Sequence, residues 1–192
     1  MSSLLLIILS AVLLSMIAIT DEGRWRPFAN VTDVYQSAVG VAQAHALAVP
    51  LICALTWLLS NAVLKPLELS YLRTPAFVAV ILVIVPLVEV TARRVRPIVP
   101  ANPAFTLLLS ANGAMLGVAL MSEARAPSLW RALWLGIGSA VLFSFLLLCA
   151  ATLYERLRYA DVPKPFRHAP ILLITAGLMA LAFMGFTGLI QE

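Results

Sequence analysis

The chain has 192 residues, of which 62% are hydrophobic and only 11% charged, with a mean hydropathy of +0.99. Ordinary soluble domains carry about a quarter charged residues, so this composition excludes one and makes the bilayer the solvent. The formal net charge of +4 does not indicate nucleic-acid binding, because the basic residues are scattered over short connectors and form no basic face.

A helix needs roughly 20 mostly apolar residues to cross the hydrocarbon, and hydropathy picks out six spans, at about 4–20, 38–59, 74–92, 104–121, 129–153 and 170–190. The connectors are short, so no soluble domain is expected. The first span opens on Met1-Ser2-Ser3, without the basic start of a secretory signal, and meets Asp21-Glu22-Gly23-Arg24, a poor cleavage site. It is read as a retained helix. The segment that follows carries Asp21, Glu22, Arg24, Arg26 and Asp33, charges too costly for hydrocarbon, and is read as a cytoplasmic loop.

Span two contains Gln43, His45 and Cys53. A proton or ion route through His45 is the functional alternative, and a helix-to-helix hydrogen bond is the simpler reading. Span three carries Glu89 with Arg93 one turn on; an interfacial ion pair is preferred to a carboxylate on an ion path. Span four holds Asn112-Gly113 and Gly117 between Pro103 and Pro127, the pattern of a discontinuous helix whose irregular backbone must be sheltered by protein. Span five carries Cys149; like Cys53, it has the apolar setting of a small buried hydrophobe. Trp57, Trp130 and Trp134 are read as interfacial anchors. The prolines in Asp161-Val162-Pro163-Lys164-Pro165-Phe166-Arg167-His168 prevent a continuous helix there. This loop is a candidate docking surface through Asp161, Lys164, Phe166 and Arg167. On the last span Gly177, Gly185 and Gly188 share one face, which suits close approach of another helix.

Orientation follows from the cations. The first, third and fifth loops carry Arg24, Arg26, Arg93, Arg94, Arg96, Arg156, Arg158, Lys164 and Arg167, whereas the second and fourth carry Lys65, Arg73, Arg125 and Arg131. The positive-inside rule places the odd loops in the cytoplasm and both termini on the periplasmic side. Leu9-Ser10-Ala11 in span one and Leu109-Ser110-Ala111 in span four echo each other. A three-span unit and its copy must enter the membrane in opposite senses. The expected fold is therefore all-α, a single membrane domain of six transmembrane helices in two inverted three-helix repeats, about 1–95 and 101–192, joined at the arginine-rich segment 93–103.

Three stretches carry a family resemblance: the Asp161-Val162-Pro163-Lys164-Pro165-Phe166-Arg167 loop, the final helix from Ile174-Thr175-Ala176-Gly177-Leu178-Met179 through Ala182-Phe183-Met184-Gly185-Phe186, and Tyr71-Leu72-Arg73-Thr74. The chain resembles the A subunit of the bacterial Rnf (Rsx) electron transport complex, a family related to the E subunit of the sodium-pumping NADH:quinone reductase. The resemblance implies an inner-membrane component of a complex coupling electron transfer between NADH and ferredoxin to sodium or proton translocation. It also implies a pseudo-symmetric partner, the E subunit of the same complex, with flavins and iron–sulfur clusters on other subunits. In that family a Gly-Leu-Cys-Pro-Phe motif after span one and an Asn-Cys-Ala-Val-Leu-Gly-Val-Ala motif in span four each give one thiolate to a 2Fe–2S cluster shared with the E subunit, held by four thiolates in all.

Here the first motif aligns with Trp25-Arg26-Pro27-Phe28 and the second with Asn112-Gly113-Ala114-Met115-Leu116-Gly117-Val118-Ala119; an upstream Asn pair aligns with Ser15-Met16. Arg26 and Gly113 stand where the cysteines would be. Arginine offers donors only and glycine has no side chain, so no cluster ligand is carried over to this chain. The expected function is that of a scaffold within the complex. Two alternatives stay open: a redox subunit sharing a cluster through other ligands, Cys53 and Cys149 among them, or a stand-alone small transporter. No set of residues for catalysis by this chain alone is present.

Overall fold

The computed structural model describes residues 2–20, 34–95, 112–161, 163–166 and 169–188, and among these every regular element is a helix. In chain order they are α1 (Ser2–Thr20), α2 (Val34–Leu59), α3 (Arg73–Val95), α4 (Gly113–Arg125), α5 (Leu129–Arg158) and α6 (Ala169–Gly188). A π turn, Ser60–Leu64, prolongs α2, and short 3-10 turns at Ser70–Leu72 and Lys164–Phe166 precede α3 and α6. Helices are what a lipid environment allows, since every backbone N–H and C=O must be satisfied within the segment.

Three stretches are long and apolar enough to cross a bilayer, Ala38–Leu64, Ser70–Thr91 and Leu129–Leu157, with shorter apolar helical stretches at Ile7–Met16 and Pro170–Phe183. These fall on the expected spans one, two, three, five and six. Of expected span four only the part from Gly113 onward is a described helix. Its 13 residues rise about 20 Å, less than the roughly 30 Å of hydrocarbon. Arg26, Ser110, Ala111, Arg167 and His168 lie outside the described residues, as do the side chains of Arg93 and Lys164.

The central feature is the antiparallel pairing of α2 with α5. Tyr35 N–H donates to Glu155 Oε1 at 2.9 Å and Ser144 Oγ donates to Ala42 O at 3.3 Å. His45 stacks on Phe143, and a Cβ on Gly136 would lie 2.8 Å from Pro50 Cα. As α2 advances its partners on α5 descend, and the lack of a side chain at Gly136 brings the two backbones together at Pro50 and Cys53. Both helices outrun their expected spans for a physical reason: hydropathy marks the apolar stretch, whereas α5 runs on to place Glu155 against the first turn of α2, whose amides have no partner of their own.

A second antiparallel contact joins α1 to α4. A Cβ on Gly117 would lie 2.6 Å from Ile7 Cγ2, and further along α1, Ser15 meets Asn112 at the start of α4. α1 also packs on α5 and α6, and α4 on α2 and α3. The interior is built from Ile8, Ile52, Phe77, Met115, Phe143 and Leu146, all buried. The outside is strongly apolar as well, with Leu51, Leu82, Val83, Val141, Phe145 and Leu181 exposed, a surface that water does not tolerate over so large an area.

Candidate functional site

The junction of α1 with α4 is where Ser15 and Gly113, the described positions of the aligned motifs, fall. Asn112 has extended backbone geometry and caps α4, accepting from Ala114 N–H at 3.1 Å through Oδ1. This satisfies one of the amides a helix start leaves open. Its Nδ2 donates to Ser15 Oγ over a long 3.4 Å. The break expected at Asn112-Gly113 thus coincides with a helix start, held by a polar contact between two buried side chains. Ser15, which aligns with the first residue of the family's Asn pair, is a contact the sequence alone did not reveal.

Among the described residues at this junction, none offers a thiolate for an iron–sulfur cluster. Gly113 is exposed, and a Cβ there would meet nothing within 4 Å, so the position has room for a side chain but supplies no ligand. Cys53 is buried in α2 against Gly136, with its Sγ 3.2 Å from the Cβ position of that glycine. Cys149 lies thirteen residues beyond Gly136 on the same helix, roughly 20 Å along the axis. The two thiols are therefore far apart along the α2–α5 pair. The register of α2 on α5 is the cause: these helices pack together, but their cysteines sit at different depths. Among the described residues no three His, Cys, Asp or Glu side chains are grouped as metal ligands.

His45 Nδ1 has no hydrogen-bond partner among the described residues. The imidazole stacks on the Phe143 ring, with centroids 3.8 Å apart and planes 16° from parallel. Glu89 is only 1% exposed, so its carboxylate lies within the helix packing rather than on a solvated rim. Trp57 donates from Nε1 to Ala126 O at 3.0 Å, while Trp130 and Trp134 are exposed and meet edge to face.

A polar knot that the sequence does not announce lies at the other end of α4. Glu123, whose side chain is 8% exposed, accepts from Ser60 Oγ at 3.0 Å and Arg73 Nη1 at 3.0 Å, and pairs with Lys65 Nζ at 3.5 Å. It ties the π turn, the second connector and the start of α3 to α4. By sequence Lys65 and Arg73 are topology signals only; an acidic residue near the end of an otherwise apolar span is the one clue to their partner.

In the fifth connector Asp161, Pro163, Pro165 and Phe166 are exposed, and Phe166 N–H donates to Pro163 O at 2.9 Å in a single 3-10 turn. On α6, Gly177 and Gly185 are exposed, and a Cβ on either would meet nothing within 4 Å. Among the described residues, therefore, no helix of this chain packs on the small-residue face. The side chains at Lys164 and Arg167 and the surroundings of Gly188 lie outside what is described.

Helices with apolar faces inside and out, packed around the short helix α4, define a polytopic membrane protein. The chain belongs to the Rnf-Nqr family: the profile described as "Rnf-Nqr subunit, membrane protein" matches residues 5–190. It is 39% identical to the A subunit of the ion-translocating oxidoreductase complex of Aeromonas salmonicida. It is 38% identical to the A subunits of the same complex from Shewanella sediminis and Pseudoalteromonas translucida. Each alignment spans 192 residues and the whole of both chains.

Proposed function

We propose that this chain is an inner-membrane component of an Rnf-type complex that couples electron transfer between NADH and ferredoxin to sodium or proton translocation, and that it acts there as a scaffold without cluster ligands of its own. The observation that carries the scaffold reading is Gly113, at the start of α4 with open space where a thiolate would be needed. The full-length likeness to A subunits of ion-translocating oxidoreductase complexes supports the complex. The expected experiment is direct: the isolated chain purifies colourless and gives no 2Fe–2S paramagnetic signal after reduction. Stoichiometric iron lost on Cys53→Ser or Cys149→Ser would overturn the reading.

In this reading the chain is one membrane domain of six spans in two inverted repeats. Two features support it: α1 runs antiparallel to α4 and α2 to α5, and the packing pattern survives exchange of the halves. The contacts of α1 with α5 and α6 correspond to those of α4 with α2 and α3. An E-like membrane partner covers the outward glycine face of α6, and the loop bearing Asp161, Lys164, Phe166 and Arg167 receives a cytoplasmic subunit. Both termini face the periplasm. The excess of Lys and Arg in the odd connectors over the even ones supports this. Reporters fused after Glu192 should register the periplasm and those inserted near Lys164 the cytoplasm; a cytoplasmic C-terminus would reverse the whole arrangement.

A further inference from the structure

Between the end of α2 and the start of α3 runs an open groove of about 610 Å³, lined by Leu55, Leu59, Val63, Ala76, Ala79 and Val83 among other apolar residues. Its small side chains, Ala76 and Ala79, leave a trough, and Leu55, Val63 and Val83 remain exposed beside it. Such a trough in a bilayer fills with an apolar chain, because water finds no partners there.

The end of the groove is chemically distinct. Val63 is two residues before Lys65 and Ala76 one turn after Arg73, so both cations stand at the same end. They share one carboxylate, Glu123, with side chains still 52% and 45% exposed. Arg73 bonds Glu123 through Nη1 and Lys65 bonds Asn61, which leaves guanidinium and ammonium N–H groups free toward the outside. Glu68, exposed in the same connector, belongs to neither ion pair. An acyl trough ending in two cations that share a single buried counter-charge matches an anionic phospholipid; a partner's transmembrane helix has no phosphate to offer them.

We propose that this groove is a binding site for an anionic phospholipid, its acyl chain against Ala76 and Ala79 and its phosphate on Lys65 and Arg73. The test uses the full chain reconstituted in nanodiscs of equal parts phosphatidylglycerol and phosphatidylcholine, then released and examined by native mass spectrometry. The wild type should retain phosphatidylglycerol roughly fivefold over phosphatidylcholine, the effect of about one basic side chain at a membrane surface. Lys65→Gln, which leaves the Arg73–Glu123 pair in place, should reduce the preference toward parity, and Ala79→Trp, which fills the trough, should lower retention of both lipids. Equal retention of the two lipids by the wild type, or a preference unchanged in both variants, would sink the proposal. So would a photo-crosslinker attached through Val83→Cys that, in the assembled complex, labels another subunit and no lipid.

Discussion

Gly136→Leu should separate α2 from α5 and cost the chain its folded state in mild detergent. A Cβ at this position would stand 2.8 Å from Pro50 Cα and 3.2 Å from both Cβ and Sγ of Cys53, whereas non-bonded carbons rest at about 3.5–4.0 Å. The nearest obstacle is backbone, so no rotamer change relieves it and the helices must move apart. Overpacking a filled interior costs about 1–3 kcal/mol, and Gly136→Ala alone should lower stability by about 2 kcal/mol. Leucine adds three carbons that the Cys53 side of α2 has no room for. Gly138 is the control, since a Cβ there meets nothing within 4 Å; Gly138→Leu should melt like the wild type. Thermal unfolding followed by circular dichroism distinguishes them, and a wild-type melting curve for Gly136→Leu would mean that α2 and α5 do not touch at Pro50.

Gly185→Leu should behave in the opposite way, with an intact chain and a failed assembly. Gly185 is exposed on α6 and no described atom of the chain lies within 4 Å of its Cβ position, so leucine costs the isolated subunit little. If the glycine face receives an E-like helix, the added side chain blocks the close backbone approach on which small-residue membrane interfaces depend. Recovery of the complex with the variant should drop about tenfold, an effect of ~1.4 kcal/mol, while the purified chain melts as before. Unchanged recovery would place Gly185 toward lipid. The pairing of the two experiments matters, because it separates a glycine that this chain uses from one it leaves to a partner.

Spans two, three and five were legible because predominantly apolar residues over a bilayer thickness leave a helix as the only satisfied backbone. The start of α4 at Gly113 was legible too, since an Asn followed by Gly inside an apolar run combines a capping side chain with a poor helix former. That glycine at position 113 offers no side chain to ligate iron is a matter of residue chemistry and needed no coordinates.

What the tertiary structure decided is register and partnership. Hydropathy made α2 and α5 membrane helices, but only their antiparallel register set Cys53 against Gly136 and left Cys149 roughly 20 Å away along the helix. His45 met the Phe143 ring because its depth on α2 faces that position on α5. Lys65, Arg73 and Glu123 are separated by as many as 58 residues in the chain, and no local pattern announces that they converge. Composition and periodicity act within a segment and dictate its environment. Which side chains meet across segments depends on the rotation and offset of whole helices, and the close approaches at Gly117 and Gly136 set these only once the chain has folded.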